Sequence, residues 1–221
     1  MRGKKLIAVL ACLVFSMGCA GKAEERIYQT LCEQQGLQRS ELIAWLEIPE
    51  TPICEPVMRH PSDDTYYANH SPDGEEHIGG SLYVQSKYNA ADFSDPVTLI
   101  YGSSAAVNAG FGNLQELFSG SFDACRTVYL HTPGATWEYE VFAALPYSSI
   151  HILHYYDFRI ERRYDSFFDS VFSTRALGMH LDEDNRPTPG TDQVIIFSTG
   201  LRGDSLQRYL VMAKRITPRF Q

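Results

Sequence analysis

The sequence predicts a mainly β protein: a closed or nearly closed β-barrel with one helix ahead of it and a second helix inserted before the penultimate strand. Three observations carry that expectation. Short apolar runs rich in β-branched and aromatic residues recur along the chain and stop at Pro or Gly. The 13 Tyr and 12 Phe suit a pleated, half-buried surface. With 221 residues, 44% hydrophobic and 21% charged, the chain can bury one sizeable core but not two.

The N-terminus supplies the first element. Arg2, Lys4 and Lys5 precede an almost wholly apolar run from Leu6 to Met17, and Gly18 stands before Cys19. This is the pattern of a secretory signal peptide. Twelve residues rise only about 18 Å as a helix, short of the roughly 30 Å hydrocarbon core, so a permanent span is the weaker reading. Ser16-Met-Gly-Cys19 resembles a bacterial lipobox, although Ser16 replaces the usual Leu. The expected organisation is a signal peptide over 1–18, a lipid on Cys19, a helical segment over 19–41 and a barrel domain over 42–221. Acyl chains would anchor the protein at the outer face of a bacterial cytoplasmic membrane, each buried CH₂ contributing about 0.8 kcal/mol.

In the body, Ile27 and Leu31 stand at i, i+4 within Ala23–Gln35, and Gly36 ends this amphipathic helix. Ile43–Ile48 reads as a strand stopped by Pro49, Thr51–Gly80 as mostly loop, and Ser81–Gln85 as a short strand. Val97–Tyr101 is a β-branched run ending at Gly102. Thr127–His131 and Thr136–Phe142 flank Pro133-Gly134 as a hairpin. Asp157–Thr174 carries Phe158, Ile160, Phe167, Phe168, Val171 and Phe172, which fits a helix packed on a sheet. Val194–Phe197 and Tyr209–Met212 are continuous apolar runs of the kind found in central strands.

Charge and cysteine content narrow the partners. A net charge of −8, more acidic once the leader is lost, repels phosphate backbones and excludes nucleic acid as a natural partner. Cys12 leaves with the leader. Cys32, Cys54 and Cys125 remain, so at most one disulfide forms, with Cys32–Cys54 conceivable and buried free thiols the alternative. His70 suits a structural hydrogen bond; His131 at a strand end, with His151 and His154 beside a turn, suit surface or packing roles. No metal-ligand pattern and no cofactor motif emerges from these residues.

Several segments in order resemble the class B sortase family: Ala44-Trp-Leu-Glu-Ile-Pro49, Asp64-Thr-Tyr-Tyr-Ala-Asn-His70, Gly80-Ser-Leu-Tyr83, Asp92–Gly102 and Phe111-Gly-Asn-Leu114. The hairpin at 128–142, Ile195-Ile-Phe-Ser-Thr-Gly200 and Arg208 at the head of Tyr209–Ala213 complete the set. The resemblance covers about Leu42 to Ile216 and implies a sortase-type barrel. Sortases cleave a sorting-signal peptide through a thioester and pass the acyl group to an amine. That chemistry needs a nucleophile, an acid/base and an oxyanion donor, which the family supplies as Cys, His and Arg.

Carried over by position, those three places hold Gly200, Ser103 and Arg208. Glycine offers no atom for an acyl-enzyme bond, and a serine hydroxyl does not titrate near neutral pH. Removing one member of a covalent catalytic set costs on the order of 10⁶ in rate in other hydrolases, and here two are replaced. The resemblance therefore implies a catalytically silent relative that binds a sorting-signal peptide, a pilin or an active sortase. Two alternatives stand beside it. One is an acyl transferase or peptidase with a substituted serine, for which Ser103, Ser104, Ser198 and Thr199 line the expected groove. The other is a non-catalytic assembly scaffold. Arg208 either donates to a peptide carbonyl or carboxylate, or pairs with a local acid such as Asp204.

Overall fold

The computed structural model describes residues 20–216 except Gln38, 106–109 and Ser121, and leaves out the side chains of 20–26. The expected leader and Cys19 lie outside the described residues. Helix α1 (Ala20–Gln35) precedes strands β1 (Leu42–Glu47), β2 (Cys54–Met58), β3 (Leu82–Tyr83) and β4 (Val97–Tyr101). Helix α2 (Leu114–Gly120), β5 (Thr127–His131), β6 (Thr136–Ser148), the single turn α3 (Ile152–Tyr155) and α4 (Glu161–Ser173) follow. Strands β7 (His180–Leu181), β8 (Val194–Leu201) and β9 (Asp204–Arg215) complete the chain.

The strands run β5-β1-β2-β3-β4-β8-β9-β6, and β6 pairs back onto β5, so eight strands close a barrel while β7 hangs on the outside of β6. β2 with β3 and β4 with β8 are parallel; the other pairings are antiparallel. The parallel pair β4–β8 is the one expected to be apolar on both faces, and it is. Ile100, Ile195 and Phe197 point into the barrel with Leu46, Val57, Val141 and Val211. Val97, Leu99, Val194 and Ile196 point outward, where α4 covers them.

The period of α4 explains that cover. Tyr164, Phe167, Phe168 and Val171 fall at i, i+3, i+4 and i+7 and are all fully buried. They pack on Phe142, Leu145, Leu210 and Met212 of β6 and β9. On the opposite wall α1 lays Tyr28 and Cys32 over Trp45, Met58 and Tyr67.

Element boundaries differ from expectation in several places. Thr51–Gly80, expected to be mostly loop, also holds a strand, because Cys54–Met58 forms β2, stitched to β1 by the Leu46↔Glu55 and Ala44↔Val57 register. Its Cys-Glu-Pro start hides the strand from a pattern reading, since Pro is scarce in sheets. Of the two cysteine alternatives the structure takes the free thiols for Cys32, Cys54 and Cys125: Cys32 is buried beneath the Trp45 indole, whose Nε1 donates to its Sγ at 3.5 Å, and Cys54 is exposed on β2. The strand expected over Ser81–Gln85 is confined to Leu82–Tyr83, and the late helix starts at Glu161 rather than Asp157. β6, β8 and β9 each run beyond their apolar runs, because barrel pairing extends them into polar residues.

Candidate functional site

The parallel β4–β8 register puts Tyr101 beside Ser198, and the antiparallel β8–β9 register puts Gly200 opposite Arg208. Side chains alternate along a strand, so Ser198, Gly200, Arg208 and Tyr101 share the outer face at one end of the barrel. Two ties fix this corner. The Gly102 amide donates to the Ser198 carbonyl at 3.1 Å. Arg208 donates from Nε to Ser198 Oγ at 2.6 Å and from Nη2 to the Ser198 carbonyl at 3.1 Å.

Arg208 does not pair with Asp204. The Asp204 carboxylate accepts instead from the Leu206 amide and from Gln207 Nε2, both at 2.8 Å, because the tight β8–β9 hairpin turns it back on its own strand. The guanidinium lies 5.7 Å from the centre of the Tyr101 ring, and Tyr83 stacks on Tyr101 at 5.3 Å. Burial pushes the Tyr83 phenol above its ordinary range, with Asp63 and Asp64 adding to the shift and Arg208 opposing it. Burial raises Tyr101 as well, reinforced by Tyr83. Both phenols therefore keep their protons at neutral pH.

The serines fall into different roles. Ser103, at the position the family gives to histidine, is half-buried, and its Oγ accepts from the Ala105 amide at 3.0 Å. Ser198 is 1% exposed and is spent on Arg208. Thr199 does not line the groove: it is 1% exposed and faces the barrel interior opposite Tyr209, with no partner for either hydroxyl among the described residues. Ser104 is the one that comes to Gly200. A Cβ built on Gly200 would lie 2.9 Å from Ser104 Oγ, so the serine hydroxyl occupies the space a side chain at position 200 would take.

No histidine hydrogen-bonds any of these hydroxyls among the described residues. His70 Nδ1 lies 2.7 Å from the Tyr66 carbonyl with its ring on Tyr66, the structural role expected of it. His131 Nε2 contacts Glu47 at 3.0 Å and Nδ1 contacts Thr136 Oγ1 at 2.9 Å, on the β1–β5 side of the barrel. His151 caps the first turn of α3 and reaches Gln85 Oε1 at 2.8 Å; burial holds it below its ordinary value.

Sequence reasoning missed two parts of the site. Tyr83 and Tyr101 each end a strand just where the barrel opens, a coincidence visible only once β3 and β4 are paired at Tyr83↔Tyr101. Arg202 was also missed. Two residues past Gly200, it donates to Glu116 and to the Gly112 carbonyl, both at 2.6 Å, and so fastens the α2 side of the opening to the end of β8.

No protein-family model matches the chain, and no curated relative matches it. Solved structures do. The fold is similar to that of sortase B from B. anthracis in complex with AAEK2, with a TM-score of 0.70 and 22% identity over 90% of this chain and 94% of that one. A Staphylococcus aureus sortase B–substrate complex gives 0.70 and 18%, over 89% of this chain and 94% of that one. A Streptococcus pyogenes class B sortase involved in pilus biogenesis gives 0.66 and 20%, over 80% and 93%. The chain therefore has a class B sortase fold, as its ordered motifs led one to expect.

Proposed function

We propose that this sortase B-like barrel binds an extended peptide at the Gly200–Arg208 corner without cleaving it, with a sorting signal, a pilin segment or an active sortase as the partner. A lipid on Cys19 would hold it at the outer face of the cytoplasmic membrane, facing secreted partners. One observation carries the reading. The residue opposite Arg208, where the family's nucleophile would stand, is glycine, and the space beside it is filled by a serine hydroxyl that no histidine or carboxylate contacts among the described residues. An acyl-enzyme needs both a nucleophile and a proton acceptor within about 3 Å of it. The retained arginine and its open face are what a binding protein needs.

The test is titration of the full chain with sorting-signal peptides by calorimetry, followed by intact-mass analysis of both components. The expected result is saturable heat, intact peptide and no covalent adduct. A thioester adduct, or cleaved peptide, would overturn the reading, as would absence of binding to every peptide and pilin segment tried.

A second reading has its own support, because Ser104 Oγ sits close to where a side-chain nucleophile at position 200 would reach. On that reading the protein is a serine acyl transferase or peptidase. A fluorophosphonate probe would then label Ser104, and Ser104→Ala would abolish the label. Unlabelled protein leaves the binding reading in place.

A further inference from the structure

Arg208 has more to give than the barrel takes. Its Nε and Nη2 hydrogens on one edge are used by the side chain and carbonyl of Ser198. The end of the fork, between Nη1 and Nη2, meets no acceptor among the described residues, and no described carboxylate lies within ion-pair distance of it. Asp63, Asp64 and Asp204 spend their carboxylates elsewhere. Asp64 accepts from Ser86 Oγ and the Lys87 amide, Asp63 from Thr65, and Asp204 from its own hairpin.

The groups at this corner of the barrel are of one kind. Two protonated phenols, Tyr83 and Tyr101, and the Ser104 hydroxyl offer donors beside a fixed cation, and all are partly open to solvent. A planar guanidinium edge already braced on its other side matches a carboxylate, which accepts two parallel N–H bonds, better than a single amide carbonyl. Beyond Arg208 the rim carries exposed apolar side chains among its serines and histidines. Ser149 donates to the Leu206 carbonyl at 3.2 Å, which places Leu206, 77% exposed, next to Ile150, 38% exposed, with Tyr155 a short turn further on. A charged fork beside exposed apolar side chains suits the end of a peptide rather than an acidic stretch within it.

We propose that the Arg208 corner reads the free C-terminal carboxylate of an extended, apolar peptide, held by the open end of the guanidinium fork with Tyr101, Tyr83 and Ser104 around it. This rests on the peptide-binding reading and narrows it: the ligand is an already released chain end, not an uncut internal site.

Two pools of synthetic six-residue peptides, randomised among apolar residues, test it, one with C-terminal acids and one with C-terminal amides. A third pool carries one internal Asp and a C-terminal amide. Retention on the immobilised full chain is read by mass spectrometry. The acid pool is expected to be retained at least about tenfold over the amide pool, with the internal-Asp pool retained no better than the amides. Arg208→Gln should erase the acid preference. Tyr101→Phe, which removes only a hydroxyl, should reduce it several-fold while leaving the thermal melt in place.

Equal retention of acids and amides overturns this inference and leaves the groove reading standing. Retention of the internal-Asp pool overturns it too, assigning the site to side-chain carboxylates. An acid preference that survives Arg208→Gln places the carboxylate elsewhere and also overturns it. Failure of all three pools removes both this inference and the peptide groove beneath it.

Discussion

On β1 and β5, His131 sits 3% exposed with Nε2 on Glu47 and Nδ1 on Thr136. On β8 and β9, Arg208 is braced on Ser198 along one edge and open along the other. Both clusters stand on the outer wall of the same barrel and both are built from groups that are costly to bury. They differ in closure. The histidine cluster uses both ring nitrogens of its buried member, as a buried polar network must if it is to stabilise the fold. The arginine cluster stops short, with a cation, two phenols and a hydroxyl all partly exposed to solvent. A closed network behaves as a strut, and an open one as a place for a ligand.

Two glycines sharpen the contrast, since both border the open cluster. A Cβ on Gly102 would meet Phe111 Cδ2 at 2.4 Å and Leu82 Cδ2 at 2.6 Å, both inside the core. Gly102→Ala should therefore show the largest loss, about 3 kcal/mol from overpacking, read from the urea midpoint at unchanged slope. Next comes His131→Ala, expected to cost about 2 kcal/mol because Glu47 and Thr136 lose their shared partner, with peptide retention unchanged. Loss of peptide retention in that variant would break the strut-versus-site distinction.

Gly200→Ala should stay within about 1 kcal/mol, because its Cβ meets only the end of a short side chain that can rotate away. A large loss there would mean that the glycine serves packing, as Gly102 does. The smallest effect concerns pH. The hydrogen bond from His131 holds the Glu47 carboxyl below its ordinary range, against the opposing effect of burial. A depressed folded-state value contributes stability above the unfolded value, and that stability is lost as pH falls through the folded one. Glu47 is 38% exposed, so solvent screening keeps the effect small. Between pH 3 and 5, roughly the interval around an ordinary glutamate, the stability of His131→Ala should fall less steeply than that of the natural sequence.

Much of the fold was legible because its strongest signals are local. Val194–Phe197 and Tyr209–Met212 are apolar without interruption and Val97–Tyr101 is broken only by Thr98, and such runs suit strands buried on both faces. The α4 period from Tyr164 to Val171 announces a helix against a sheet. β2 escaped because Cys54-Glu-Pro carries no period and gains its ladder only from β1. The one-turn α3 and the short α2 escaped for a related reason: seven residues or fewer do not hold a helix without tertiary packing.

The sequence by itself determined which residue types stand at the critical positions: a glycine after Ser198-Thr199, a serine after Tyr101-Gly102, and an arginine at the head of the last strand. Those identities bear on what chemistry is open to the chain, because a missing side chain is missing in any fold. Only the tertiary structure decided what occupies the vacated space and what the arginine keeps free. Ser104 reaches Gly200 through a loop, Thr199 turns inward because strand alternation puts it on the other face, and Asp204 turns away because the hairpin folds it back. Each of these outcomes depends on register and loop path, which are set by pairing between residues far apart in the chain.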